Sequence, residues 1–251
     1  MAFEVESYGL SDVGLVRPNN EDVWAALEEF GVYVVADGMG GHQAGEVASK
    51  EAADALLRIM KQQFRYTPPE EMSLEEYKLV LAEAIELVNV IIFSIGKSDA
   101  SLKGMGTTLV TLCVHPDEVI LGHVGDSRIY RLRDGELKQM TKDNTLATQM
   151  IDQGFLEKED TAYYSYKNVI TKAIGNGSEL SPTVNSDLGQ EGDIFLLCSD
   201  GLTDMLTREE IQRVLAGDRS IEELAKELVD HAKQNGGFDN ITVLLVKLGE
   251  S

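Results

Sequence analysis

Val32-Tyr33-Val34-Val35-Ala36-Asp37-Gly38-Met39-Gly40-Gly41-His42 is a run of strand-forming residues that stops abruptly at a carboxylate and a glycine loop. An ionised carboxylate at the end of a buried strand is costly unless a cation or strong donors compensate it. Asp37 is therefore read as a ligand of a divalent metal ion, with the rest of the chain assembled around it.

Working outward from that strand, Phe3 to Leu10 and Val23 to Leu27 alternate apolar and polar residues and read as strands, separated by the polar turn Arg17-Pro18-Asn19-Asn20-Glu21-Asp22. From Ala44 the spacing becomes helical, with Ala48, Ala52, Ala55, Leu56, Ile59 and Met60 on one face. A second helix follows the capping pair Ser73 and Glu76, with Leu74, Tyr77, Leu81, Ile85, Val88 and Ile92 at spacings of three and four. Leu109 to Val114, Val119 to His123, Ser127 to Arg133 and Glu136 to Met140 form a strand meander, the last two joined by the hairpin signal Asp134-Gly135. The periodicity then fades from Asn144 to Asn168, apart from a short helix near Leu146 to Gln153. Strand character resumes at Val169 to Ile174 and at Ile194 to Ser199. Helices capped by Thr207 with Glu210 and Ser220 with Glu223 precede a last strand, Ile241 to Leu248. Strands, two helices, strands, two helices and a strand fit an α+β sandwich better than a parallel α/β sheet.

The chain has 251 residues, 43% hydrophobic and 26% charged, and no linker divides it, so a single domain spanning 1–251 is expected. Its 43 acidic and 22 basic residues give a formal charge of -21, which makes nucleic acid and anionic membranes poor partners and favours a monomer. Cys113 and Cys198 each sit in an apolar run without metal-ligand spacing and read as buried thiols. No charged-then-apolar leader opens the chain and no apolar run approaches ~18 residues, so neither an export signal nor a membrane span is expected, and the cytoplasm is the default location.

Three further aspartates share the setting of Asp37, making four. Asp126 follows Val119 to Val124, Asp200 follows Phe195 to Ser199, and Asp239 precedes Ile241 to Leu245, so each lies at the end of a strand beside glycine. Gathered at one edge, four like charges require divalent cations. Oxygen ligands without paired His or Cys suit magnesium or manganese rather than zinc. His115, His123 and His231 read as structural, while His42 follows the loop beside Asp37. Arg17 supplies the guanidinium fork that a phosphorylated substrate needs against an acidic edge.

Taken in order, Arg17 to Asp22, Asp37 to His42, Gly106-Thr107-Thr108, Val124-Gly125-Asp126-Ser127-Arg128, Asn168 to Gly175, Cys198 to Asp204 and Gly237 to Val243 resemble the bacterial branch of the metal-dependent serine/threonine protein phosphatases, the PPM or protein phosphatase 2C-like family. The resemblance spans nearly the whole chain. It implies a four-layer α-β-β-α sandwich, two mainly antiparallel sheets covered by helix pairs, with two Mn2+ or Mg2+ ions in a cleft at one end. On that resemblance Asp37 bridges the two metals, Asp200 and Asp239 hold the first, and the Gly38 carbonyl holds the second. Glu21 and Asp22 act through metal-bound waters, and Asp126 with Asp200 matches a third metal position. The implied reaction is hydrolysis of phosphoserine or phosphothreonine in proteins by a metal-activated water, with Arg17 orienting the phosphoryl group. It implies phosphorylated proteins as partners, the targets of a cognate serine/threonine kinase. A variable flap at about 145–168 would help select substrate.

Two positions depart from the family pattern. Animal members have a histidine where this chain has Met39, which leaves the general acid unassigned between His42 and a metal-bound water. Many members have histidine after Thr-Lys-Asp, where this chain has Asn144. Two other functions compete: hydrolysis of small phosphate esters, and a catalytically silent phosphoprotein-binding module on the same fold.

Overall fold

The computed structural model describes residues 3–40, 43–116, 118–157, 160 and 163–250. In chain order the first elements are strands β1 (Glu4–Asp12), β2 (Asp22–Leu27) and β3 (Val32–Met39), then helices α1 (Gln43–Tyr66) and α2 (Leu74–Ser98). Strands β4 (Gly106–Thr107), β5 (Leu109–Val114), β6 (Val119–Val124), β7 (Arg128–Arg133) and β8 (Glu136–Gln139) follow, with helices α3 (Leu146–Asp152) and α4 (Tyr163–Tyr166) after them. The chain continues through β9 (Thr183–Asp187), β10 (Ile194–Cys198), α5 (Asp200–Thr203), α6 (Arg208–Leu215), α7 (Ile221–Gln234) and β11 (Ile241–Gly249).

Two antiparallel sheets stack face to face. One runs β1-β11-β10-β7-β8; the other runs β2-β3-β5-β6-β9, with β4 paired to β3. The opening strand shows why the stack is closed on both sides. Val32 and Val34 pack with α1 and α2, whereas Tyr33 and Val35 pack between the sheets with Leu112, Phe195 and Leu244. Side chains alternate across a strand, so a strand covered on both faces reads as an unbroken apolar run. On the far side α6 and α7 cover the first sheet through Ile211, Leu215, Leu224 and Leu228. The result is an α+β sandwich of helix, sheet, sheet and helix layers, as expected.

Local signals hold where short-range chemistry decides. Ser73, Thr207 and Ser220 each form the reciprocal capping box expected of them, the Ser73 pair through Ser73 N to Glu76 Oε2 at 2.8 Å. Asp134 and Gly135 both take positive φ, 50° and 77°, and turn β7 into β8 with Arg133 opposite Glu136.

Three expectations are corrected. Val169 to Ile174 forms no extended strand: Ile170 and Ile174 make single bridges to Thr145 and Thr107. The apolar spacing there arises because these two side chains face inward from an otherwise irregular segment. Strand β9 was not anticipated, since Thr183–Asp187 is a polar, half-exposed edge strand with little alternation to read. Helix α2 is, by length and composition, apolar enough to cross a membrane, against the expectation that no run approaches that length. Here its Leu81, Ile85, Val88 and Ile92 flank is buried against the second sheet.

Candidate metal centre

The four strand-end aspartates meet at one end of the sandwich. Antiparallel pairing of β2 with β3 sets Asp22 directly opposite Asp37. From the other sheet, the turn from β10 into α5 packs on the start of β11. A Cβ at Gly201 would lie 1.9 Å from the Asn240 carbonyl oxygen, so only glycine permits the approach that brings Asp200 beside Asp239. Gly38 is equally constrained, with 2.1 Å from a Cβ to the Gly45 carbonyl oxygen at the start of α1. Between these segments lies a cavity of about 240 Å³. Asp37, Gly38, Asp126, Asp200 and Asp239 line it, with Arg17 and Glu21 at the same opening.

Asp22 does not line that cavity. It is buried behind it, and its Oδ2 accepts a hydrogen bond from Ser199 Oγ at 2.6 Å. Met39 does line it, in the place where a proton donor would stand, and a thioether cannot donate a proton. His42, the other candidate for that role, lies outside the described residues.

Several positioning residues escaped the reading of single motifs. Asn240 ties three strand ends together: its Oδ1 accepts from Glu21 N at 2.8 Å and its Nδ2 donates to Val13 O at 3.0 Å and Asn19 O at 2.9 Å. Thr108 Oγ1 accepts from Asp37 N at 3.0 Å and contacts Ser127 Oγ at 2.7 Å. Asn144, in place of the usual imidazole, clamps the residue before Asp126. Its Oδ1 accepts from Gly125 N at 3.0 Å and its own N–H donates to Gly125 O at 2.7 Å. Thr108 and Asn240 stand in the quoted stretches and Asn144 is the departure after Thr-Lys-Asp, but an isolated polar residue in a turn carries no signal of what it holds.

The electrostatics show how strained this gathering of acids is. Burial, followed by the charges of neighbouring carboxylates, pushes Asp126 up to about 7 and Asp200 up to about 6. Asp22 is pushed up to about 7 by burial, against the Ser199 and Thr242 hydroxyl bonds. Asp37 is raised well above the usual carboxylate range by burial and then by Asp22, Asp200 and Asp126. Asp37 and Asp200 stand close enough that each bears on the other's proton affinity, the charge of Asp200 raising Asp37. Arg17 Nη2 donates to Asp239 Oδ2 at 2.6 Å, and this bond holds the guanidinium above its ordinary value.

These residues fit divalent cations. Asp126 Oδ1 is buried with no hydrogen-bond partner among the described residues, an acceptor that a cation would satisfy. The donors are oxygens, the set that magnesium and manganese prefer. Among the described residues no group of three or more His, Cys, Asp or Glu side chains stands in metal-holding positions, and the Arg17 guanidinium takes up the Asp239 charge instead. The Arg17–Asp239 pair is half exposed, with side-chain accessibilities of 53% and 39%, and such pairs contribute about 0–1 kcal/mol. Arg17 can therefore leave Asp239 for a stronger anion at little cost.

The thiols stand apart. Burial raises Cys113 to about 11 and Cys198 to about 12, so neither is poised as a nucleophile.

The family model described as Protein phosphatase 2C matches residues 18–240. The chain is 37% identical over 240 residues to the serine/threonine phosphatase Stp of Listeria welshimeri, covering 94% of this chain and 93% of that one. It is 36% identical over 244 residues to the protein phosphatase PhpP of Streptococcus pneumoniae, covering 96% of each. The fold superposes on the crystal structure of the Mycobacterium tuberculosis serine/threonine phosphatase PstP/Ppp with a TM-score of 0.88 at 36% identity, covering 98% of this chain and 99% of that one. A catalytic domain of PstP in complex with two manganese ions superposes with a TM-score of 0.84 at 35% identity, over 98% of this chain and 99% of that one. With seven motifs in order, the same sandwich, and four aspartates drawn to one cavity, the chain belongs to the protein phosphatase 2C family of metal-dependent protein phosphatases.

Proposed function

We propose that this protein hydrolyses phosphoserine and phosphothreonine in proteins, reversing the action of a serine/threonine kinase on shared targets. The observation that carries the proposal is the 240 Å³ cavity in which Asp37, Asp126, Asp200 and Asp239 converge below Arg17. Asp37, Asp200 and Asp239, with the Gly38 carbonyl, are the groups to hold two Mn2+ or Mg2+ ions; Asp126 with Asp200 would hold a third, and Glu21 and Asp22 support them from outside. Ions bound there supply a water of lowered pKa and neutralise charge on the phosphoryl oxygens.

The chain's own residues do the rest. Arg17, freed from Asp239, takes two phosphoryl oxygens in its fork and fixes the ester for in-line displacement. Asn240 and Thr108 hold the loops of Glu21 and Asp37 so that the acids do not drift apart. The ester P–O bond breaks as the water oxygen bonds phosphorus, giving inorganic phosphate and a serine or threonine hydroxyl. The buried thiols exclude themselves as covalent carriers, which supports direct hydrolysis.

The relatives' printed names support protein substrates over small esters. We also propose that residues 1–251 act as one unit, as a monomer in the cytoplasm; the chain's strong acidity and free buried thiols support this. The reading is tested by phosphate release from a phosphothreonine peptide and from an aryl phosphate, with manganese, magnesium or chelator. Both substrates should turn over only with metal; activity that survives chelation would sink the two-metal reading.

A further inference from the structure

Far from the metal centre, the outer flank of α1 carries the reverse of the molecule's overall charge. The chain holds 43 acids against 22 bases, yet from Ala55 to Tyr66 the helix has three cations, Arg58, Lys61 and Arg65, and no acid. Glu46, Glu51 and Asp54 all precede that stretch. Lys61 is tied to Glu29 at 2.7 Å, whereas Arg58 and Arg65 make no hydrogen bond or ion pair with any described residue. Cations in a last turn complement the helix dipole, but that effect fades within one turn and Arg58 stands two turns from the end.

The cations border a groove of about 680 Å³ between α1 and the end of edge strand β2. Its apolar lining comes from Leu27, Leu57 and Tyr66, the tyrosine 80% exposed. Arg58 and Arg65 are seven residues apart, about 10 Å along the axis at ~1.5 Å per residue. Side chains on one face of an extended peptide recur every second residue, so two acids four residues apart share a face and stand about 13 Å apart at ~3.3 Å per residue, a difference of a few ångströms that the long arginine side chains absorb. The residue midway between them faces the same way and would lie over the leucines and the tyrosine.

We propose that this groove docks an acidic peptide segment, two carboxylates on Arg58 and Arg65 with an apolar side chain between them. The partner is set by charge complementarity, since an acidic segment is repelled by nearly every other part of this surface. The first turn of α1 abuts the metal centre through Gly45, and the groove begins about a dozen residues along the same helix, roughly 18–30 Å away. A single polypeptide can span that distance with about six to nine extended residues. On the phosphatase reading, the groove raises the effective concentration of substrates that carry such a segment at that distance from the phosphorylated residue.

The test is fluorescence anisotropy with a dye-labelled peptide bearing a Glu-x-Leu-x-Glu segment, titrated with wild-type protein, the Arg58→Gln/Arg65→Gln double variant, and a Lys97→Gln/Lys103→Gln variant with the same change of charge. Binding should weaken at least about tenfold in the arginine variant and with added salt, and stay at the wild-type level in the lysine variant. Equal binding by all three proteins, or no binding by the wild type, would overturn the proposal. Neither arginine touches the metal centre, so aryl phosphate turnover by the arginine variant should equal wild type and reports that it is folded. A phosphothreonine peptide carrying the acidic segment eight residues away should lose its kcat/KM advantage over one lacking it in the arginine variant, through KM with kcat unchanged. If neither substrate turns over, the phosphatase reading fails while the anisotropy still decides the docking.

Discussion

Asp239 shows how much rests on one side chain. It stands two residues before β11, it meets Arg17 at 2.6 Å, and its backbone lies against Gly14, where a Cβ would come 2.2 Å from the Asp239 carbonyl oxygen. Asp239→Asn keeps the shape and removes the charge. On the proposed reading, removing one of the groups that hold the ions costs on the order of a hundredfold or more in rate. Phosphate release should fall by at least that much while the far-ultraviolet circular dichroism is unchanged. A variant that matches wild type at saturating manganese would remove Asp239 from the centre. Met39 and Asn144 belong to the same scale. The first leaves the leaving group without a side-chain proton donor at that position, and the second replaces an imidazole with an amide whose Oδ1 holds the Gly125 N–H, while the backbone N–H of Asn144 holds the Gly125 carbonyl.

Among the elements, the excursion between β8 and β9 is fastened at its base and again at the end of α3. Thr145 bridges Ile170, Leu146 N donates to Val169 O at 2.8 Å, Lys167 Nζ reaches Asp204 Oδ1 at 2.7 Å, beside α5, and Lys142 Nζ reaches Asp152 Oδ1 at 2.5 Å. Ile170 at that base lines the metal cavity, while Phe155 farther out is 74% exposed. An element anchored at the cavity with an exposed aromatic farther out is placed to meet the substrate around its phosphoryl group. Exchanging about 146–167 for the corresponding segment of a relative should reorder a panel of phosphopeptides by kcat/KM and leave aryl phosphate turnover within a few fold. An unchanged ranking would deny the segment a part in selection. The same region marks where sequence reading weakens. Val169 to Ile174 has strand-like spacing without a partner strand, and β9 has a partner strand without strand-like spacing. Periodicity reports which faces are covered, not what covers them.

At the scale of the whole molecule, the centre couples folding to protons and metal. With chelator present, Asp22 and Asp126 near 7 and Asp200 near 6 all lie above the ordinary carboxylate range, so the folded state holds protons that the unfolded chain releases. The stabilisation is present at low pH and is lost as pH rises through that window. His123 opposes it, because burial disfavours the charged imidazole, holds it below its ordinary value and favours the higher pH, but it is one group against several. The chelated protein should melt at a higher temperature near about pH 5 than near about pH 8, and manganese should raise the melting temperature most at the higher pH, where the acids are ionised. Equal melting temperatures for the chelated protein at both pH values would contradict the raised proton affinity of Asp22, Asp126 and Asp200.

The sequence by itself determined most local choices: the strand and helix runs outside Val169 to Ile174 and β9, where helices begin at Ser73, Thr207 and Ser220, where Asp134-Gly135 turns, and that Asp37, Asp126, Asp200 and Asp239 need compensation. Each follows from interactions a few residues long, or from an acid beside an apolar strand. Only the tertiary structure decided that those acids share one cavity, that Asp22 lies behind it, that Asn240 joins three strand ends, and that Arg58 and Arg65 border a groove with Leu27. Those pairings join residues tens to hundreds of positions apart, and register and sheet stacking, which a linear pattern does not carry, set the distances between them.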